Sequence, residues 1–325
     1  MEKNITYCDL QHIKAGYQEI HGYLSLIVCF FGSLTNILNI FVLKTKHLRS
    51  PTNFILIGLA FADLLVMLEY VPFVIHRNLA SRRTYASHFT YNWARFYMFH
   101  AYFGQVAHFT SCCLTIILAV WRYVYISMPQ GNTVCANSKR TVIVILITYL
   151  LCPILCLPVL VTLEVRKYPQ PCNESGVMIS KKDRNGVVLN NLHNETIWVI
   201  RPNDPYGIAL WIYSVLLKLA PCVLLTFLFY KIISALMETR RRRGKLMNKS
   251  MAKKLNEGFK SNDIHIYKET QADRTTRMLL AVLLLFLLTE FPQALLGSIS
   301  AVYGEVFLEE CYSPLGNSIK FSCFP

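Results

Sequence analysis

An all-α membrane protein, a bundle of six complete spans, is the fold class predicted for this chain of 325 residues. Three observations carry that expectation. Hydrophobic residues make up 54% and charged residues 16%, where soluble domains sit nearer one-quarter charged. The apolar residues are clustered in runs of about the 20 residues that a helix needs to cross a bilayer. The basic residues are crowded between those runs, above all in "TRRRRGKLMNKSMAKK", which suits a cytoplasmic membrane surface better than nucleic acid, despite the net charge of +14.

The elements follow in order. Residues 1–22 form an outer N-terminal segment, and they lack the apolar core of a cleavable signal, so the first span serves as its own insertion signal. The spans cover about 23–43, 54–75, 96–121, 141–163, 206–230 and 278–303, and together make a bundle over 23–303. Segment 164–205 is the longest outer loop, polar and rich in Asn, and segment 238–273 is the basic inner one. Residues 304–325 carry Glu305, Glu309, Glu310 and Lys320, and are expected to be the truncated start of a seventh span.

Charge and sequons agree on topology. The excess of Lys and Arg in the third inner segment favours an outside N-terminus, although Arg77, Arg82, Arg83 and Arg95 fall in the first outer loop. Asn4, Asn173 and Asn194 head N-x-S/T triplets on the outer side, as expected of glycosylation sites, whereas Asn248 falls inside. Most of the eleven cysteines lie within spans and read as small packing residues; Cys8, Cys172 and Cys311 are the outer ones. No Gly-rich phosphate cradle, metal-ligand cluster or nucleophile–base pair presents itself, so neither an enzyme nor a cofactor is expected. His100 and His108 read as bundle-facing residues, not metal ligands. Without an inverted repeat, a transporter is a weak reading.

The informative residues are the polar ones at membrane depth. Span three carries Gly104, His108, Ser111, Thr115 and Arg122 at steps of four, three, four and seven, which is one helical face. Asn36 lies in span one, Asp63 and Glu69 in span two, Lys218 in span five and Glu290 in span six. An acid at bilayer depth costs about 2.5–3.5 kcal/mol on insertion scales and must be offset. For Glu290, in "LLLFLLTEFPQALLG", either Lys218 or a cationic ligand supplies that offset. Pro72, Pro158, Pro221 and Pro292 sit near the outer halves of four spans, where kinks suggest an outward-opening cavity with charged walls.

These residues resemble the rhodopsin-like (class A) G-protein-coupled receptors, and within them the invertebrate FMRFamide-like and myosuppressin-type neuropeptide receptors. Asn36 after "FGSLT" is similar to the family's span-one asparagine. Asp63 in "NFILIGLAFADLLVMLEYVPF", with Ser111, resembles the family's sodium-linked polar cluster. The triplet "WRY" stands where most members have acid–Arg–Tyr, which implies that Arg122 and Tyr123 meet the G protein. Pro221, Phe286 and "TEFP" with Pro292 resemble the activation switch, and Glu290 would stand at the floor of the ligand pocket.

The departures are as telling. Trp121 replaces the acid that restrains the arginine, and Tyr149 replaces the span-four tryptophan. Tyr97 stands in place of the span-three cysteine, so either Cys8 or Cys311 partners Cys172, or Cys172 stays unpaired. The Asn-Pro-x-x-Tyr motif of the seventh span is missing. The resemblance implies a plasma-membrane receptor for a short amidated neuropeptide ending in an Arg-aromatic pair. Its Arg would meet Glu290 or Glu69, with Gln105, His108 and Lys218 lining the site. The implied partners are that peptide, a heterotrimeric G protein and membrane lipid, with no nucleic acid. The alternative is a truncated, non-signalling partner of full-length receptor paralogues.

Overall fold

A computed structural model describes residues 11–80, 86–127, 137–173, 193–202, 212–256 and 271–303. Six long helices account for most of them: α1 (Gln11–Leu43), α2 (Pro51–Val74), α3 (Tyr91–Ser127), α4 (Ser138–Val161), α5 (Ala220–Asn256) and α6 (Gln271–Tyr303). The first five, α2 and α5 together with the turns that adjoin them, give stretches long and apolar enough to cross a membrane: Ile20–Leu43, Pro51–Arg77, Tyr91–Ser127, Ser138–Val161 and Val215–Arg242. The apolar stretch described in α6, Leu283–Ile299, is shorter. The helical bundle expected from the sequence is present. Helix α1 begins at Gln11, so helix extends into the expected outer N-terminal segment.

Local chemistry sets several boundaries. Ser50 caps α2, its Oγ accepting from the Asn53 amide at 3.2 Å, and Pro51 takes the first helical position, where no N–H is needed. Asn137 caps α4 through the Lys139 amide at 3.0 Å. After Pro72, α2 widens into a π-helical turn, Ile75–Ala80. A second such turn, Ile212–Leu219, leads into α5 just before Pro221, whose missing N–H interrupts the ladder there.

Two glycines mark close approaches. A Cβ on Gly32 of α1 would lie 2.5 Å from Met67 Sδ of α2, and one on Gly58 of α2 would lie 3.2 Å from Ile145 Cγ2 of α4. The carbonyl of Gly58 accepts from the Tyr149 hydroxyl at 2.7 Å, so the tyrosine standing for a tryptophan ties α4 to α2. Tyr102 similarly donates to the Pro153 carbonyl at 3.0 Å, joining α3 to α4.

Helix α3 is the central post. Leu114, Leu118 and Ala119 pack with Ile55, Leu225, Leu228, Ile232 and Leu283 in one core, and Phe109 packs with Cys152, Cys156, Val159 and Leu217 in another. Large apolar side chains remain exposed on the outer faces of α1, α4, α5 and α6, including Phe30, Leu150, Val223 and Leu285, as lipid contact requires.

The expected outer loop 164–205 is instead framed by a hairpin. Strand β1 (Leu163–Cys172) pairs antiparallel with β2 (His193–Pro202), in register from Leu163↔Pro202 to Cys172↔His193. The β-branched and aromatic run Thr196–Ile200 favours a pleated strand. Cys172 and Ile197 bury against Ala86, and the Trp198 amide donates to the Phe89 carbonyl at 3.0 Å, seating the hairpin at the outer end of α3.

Candidate functional site

The acid that the sixth span carries is held by two partners. Glu290 Oε2 accepts from Lys218 Nζ at 3.0 Å and from His108 Nε2 at 3.1 Å, joining α6, the π-turn before α5, and α3. Lys218 is 4% exposed and Glu290 8%. A buried carboxylate this far from water needs both charge and hydrogen bonds around it, and these partners supply them. Of the two offsets open in the sequence, Lys218 is the one in place. The Cys112 thiol lies 4.0 Å from His108 Nε2.

A second polar group lies at the outer end of the same face. Glu69 of α2 bonds the His100 ring of α3, which stacks on Phe73 with centroids 3.8 Å apart. Tyr70 packs beside that ring, and its hydroxyl lies 3.3 Å from His21 Nε2 of α1. Glu69 Oε2, His100 Nε2 and Gln105 Nε2 are buried with no hydrogen-bond partner among the described residues. Such atoms carry a desolvation cost that a ligand group would relieve. The sequence reading did not single out His100 as a partner of Glu69. The signal existed, because His100 stands four residues before Gly104 and so extends the polar face of span three by one turn.

The other expected residues divide between cluster and scatter. Ser111 Oγ donates to Asp63 Oδ1 at 2.7 Å, whereas the Asn36 amide faces Met67 Sδ at 4.0 Å. The expected three-residue polar cluster is thus assembled in part, with Asp63 and Ser111 together and Asn36 apart. At the inner end, Trp121, Tyr123 and Phe286 pack against the Leu118–Ile232 core, and Arg122 Nε and Trp121 Nε1 are buried without partners among the described residues. Pro292 lies inside α6, and Pro221 is buried at the start of α5.

In the hairpin, Cys172 is a free, buried thiol that faces the Gln170 carbonyl at 3.5 Å. Burial, aided by the charge of Glu195, pushes its pKa up. Among the described residues Cys172 stands unpaired, turned inward by the hairpin against Ala86 and Ile197, and both candidate partners, Cys8 and Cys311, lie outside those residues. Cys8 and Asn4 lie outside the described residues, as do residues 304–325 with the expected start of a seventh span. Tyr97, standing for the usual cysteine, shares a 2.7 Å hydrogen bond with His76 Nδ1. Asn194 is exposed on β2, and Asn173 is half-buried just past β1.

A bundle with a central third helix and polar groups across α2, α3, α5 and α6 matches a known family. Residues 23–320 match the profile of the serpentine type 7TM GPCR chemoreceptors, Srw. The chain belongs to this Srw family. The match extends through most of the segment expected to be a truncated span. Srw proteins are signalling receptors, not enzymes.

Among curated relatives, this Srw chain is 26% identical to the G-protein coupled receptor dmsr-1 of Caenorhabditis elegans over 339 residues, covering 97% of this chain and 65% of that protein. It is 26% identical to the sex peptide receptor of Drosophila melanogaster over 316 residues, covering 93% and 65% respectively. Sex peptide receptor-related protein 2 of Caenorhabditis elegans is 25% identical over 295 residues, 85% of this chain and 58% of that protein. The chain thus spans less than two-thirds of the length of these relatives.

Proposed function

We propose that this chain is a plasma-membrane receptor, with its N-terminus outside, for a short amidated peptide whose C-terminal pair is Arg followed by an aromatic residue. Binding would be relayed to a heterotrimeric G protein. The observation that carries this reading is the buried Glu69 Oε2 beside His100, with Gln105 Nε2 one and a half turns further in, both without a hydrogen-bond partner among the described residues. A planar guanidinium suits a carboxylate oxygen of that kind, and a charge-assisted bond in a dry site is stronger than one in water. The name of the sex peptide receptor, a relative over 93% of this chain, supports a peptide as the ligand class.

Glu290 enters as the second acid. In the described arrangement it is satisfied by Lys218 and His108, so an approaching cation competes with an internal one. Ligand binding favours the conformer in which that three-element contact loosens and the inner end of α6 swings about Pro292. Phe286, Pro221 and the inner core then shift, and Arg122 and Tyr123 meet the G protein. The Asp63–Ser111 pair braces α2 against α3 meanwhile. The basic inner end of α5 rests at the lipid surface.

The test pairs receptor and ligand changes. In the unaltered receptor, replacing the peptide's Arg with citrulline is expected to cost roughly 10- to 100-fold in potency, the range of one hydrogen bond to a charged group. With Glu69→Gln the penalty shrinks to a few-fold, and with Glu290→Gln it shrinks less. A penalty of the same size in all three receptors removes the proposed contact.

A further inference from the structure

The outer surface holds a feature that the acidic interior does not explain. Lys167 Nζ of β1 sits over the Trp198 ring at 5.1 Å, and Trp198 meets Tyr91 of α3 edge to face at 4.8 Å. The Arg95 guanidinium in turn sits over Tyr91 at 5.8 Å. Two cations thus bracket one aromatic pair that joins hairpin to helix. Nearby, Arg201 lies over Tyr168 at 5.1 Å. All three cations are exposed, and none of them has an ion-pair partner among the described residues.

Among the described residues, acids are scarce around them. From the end of α2 through the hairpin, the acidic residues among those described are Glu164 and Glu195. Glu164 is engaged by Arg166 at 2.7 Å. Ring faces fix the positions of cations without neutralising them, and like charges held together raise the local positive potential. The hairpin's backbone bond to Phe89 and the burial of Cys172 hold this platform against α3. A preformed cationic site needs less ordering when an anion docks.

We infer that Lys167, Arg95 and the Tyr91–Trp198 pair form an anion-recognising subsite, with Arg201 beside it, that takes a carboxylate side chain from the N-terminal part of the peptide ligand. The inference rests on the peptide-receptor reading above and adds to it a charge polarity: acid toward the N-terminus, Arg near the C-terminus. Arg95 stands five residues outward of His100 on α3, about 7–8 Å along the helix axis. An extended peptide covers about 3.3 Å per residue, which with side-chain reach puts the acid roughly two to five residues before the ligand's Arg.

The experiment measures binding of labelled, amidated Arg-Phe peptides to the full chain in lipid nanodiscs. A single Asp or its Asn counterpart is placed two, three, four or five residues before the Arg. In the unaltered receptor, Asp at one position in this window binds about five- to tenfold tighter than Asn, and the gain falls as salt rises. Lys167→Gln and Arg95→Gln abolish that gain and leave the Asn peptides within about twofold. Lys167→Glu reverses the preference toward a Lys-bearing peptide, which separates charge recognition from misfolding.

Equal binding of Asp and Asn peptides at every position overturns the inference. So does a gain that appears only in nanodiscs containing anionic lipid, since the subsite then serves the membrane. The Glu69→Gln arm keeps the two readings apart. An Asp preference that persists while the citrulline penalty is absent sinks the Arg contact and spares the subsite. The converse sinks the subsite alone, and binding of none of the peptides sinks both.

Discussion

At the scale of single residues, the contact of Lys218 and His108 with Glu290 has the most to lose from substitution. Removing one partner of a buried ion pair leaves the other uncompensated and typically costs about 3–5 kcal/mol, whereas an apolar replacement of both is often neutral. Lys218→Met is therefore expected to lower the thermal midpoint of the solubilised receptor by several degrees. Adding Glu290→Leu to the same chain should restore most of the loss. If single and double variants melt together, the pair does not hold α6 to α5. His108 spans the two cases, since its ring can still donate to Glu290 when the lysine is gone.

At the scale of elements, the hairpin β1–β2 stands where the sequence suggested an irregular loop. Its inner edge is sealed by Cys172, Ala86 and Ile197, with Phe89 and Val199 packed around them. Burial raises the Cys172 pKa and hides the thiol, so both effects slow its alkylation. Cys172 should resist a maleimide in intact membranes and react promptly after denaturation without reductant, read by mass spectrometry. A residue that labels only after reduction would mean a disulfide, and would overturn the free-thiol assignment. The turns at Ile75–Ala80 and Ile212–Leu219 belong to this scale too. Each carries a buried polar side chain, His76 and Lys218, and a widened turn is a common way to re-aim a side chain.

At the scale of the whole molecule, the charge pattern and the sequons predict an orientation with the N-terminus outside. Asn194 is exposed on β2, while Asn248 lies on the basic C-terminal extension of α5. Expression in a glycosylating cell should give a form that shifts in mass on deglycosylation, with Asn194→Gln removing part of that shift and Asn248→Gln none. A glycan on Asn248 would invert the expected topology and place the Glu69–His100 end of the bundle on the wrong side for an external ligand.

Much of this was legible in the sequence, for physical reasons. A helix in lipid must satisfy its own backbone, so each span announces itself as an apolar run, and the helical bundle those runs predict is present, with five stretches among the described residues long and apolar enough to cross. Polar residues at membrane depth are costly, so Asp63, Glu69, His108, Lys218 and Glu290 stood out before any packing was known. At the coarser level the receptor class was legible too: these residues resemble those of G-protein-coupled receptors, and the chain matches the Srw family of them. What only the tertiary structure decided is which polar group meets which. Glu290 had two candidate offsets, and only the juxtaposition of α3, α5 and α6 selected Lys218 and His108. Glu69 found His100 across α2 and α3, while Asn36 turned to Met67 instead of joining Asp63. The hairpin, and with it the Lys167–Trp198–Tyr91–Arg95 ladder, depends on pairing between strands twenty or more residues apart. Hydropathy is a property of each residue and its neighbours in sequence, whereas pairing depends on distances between segments, and those exist only once the helices have packed.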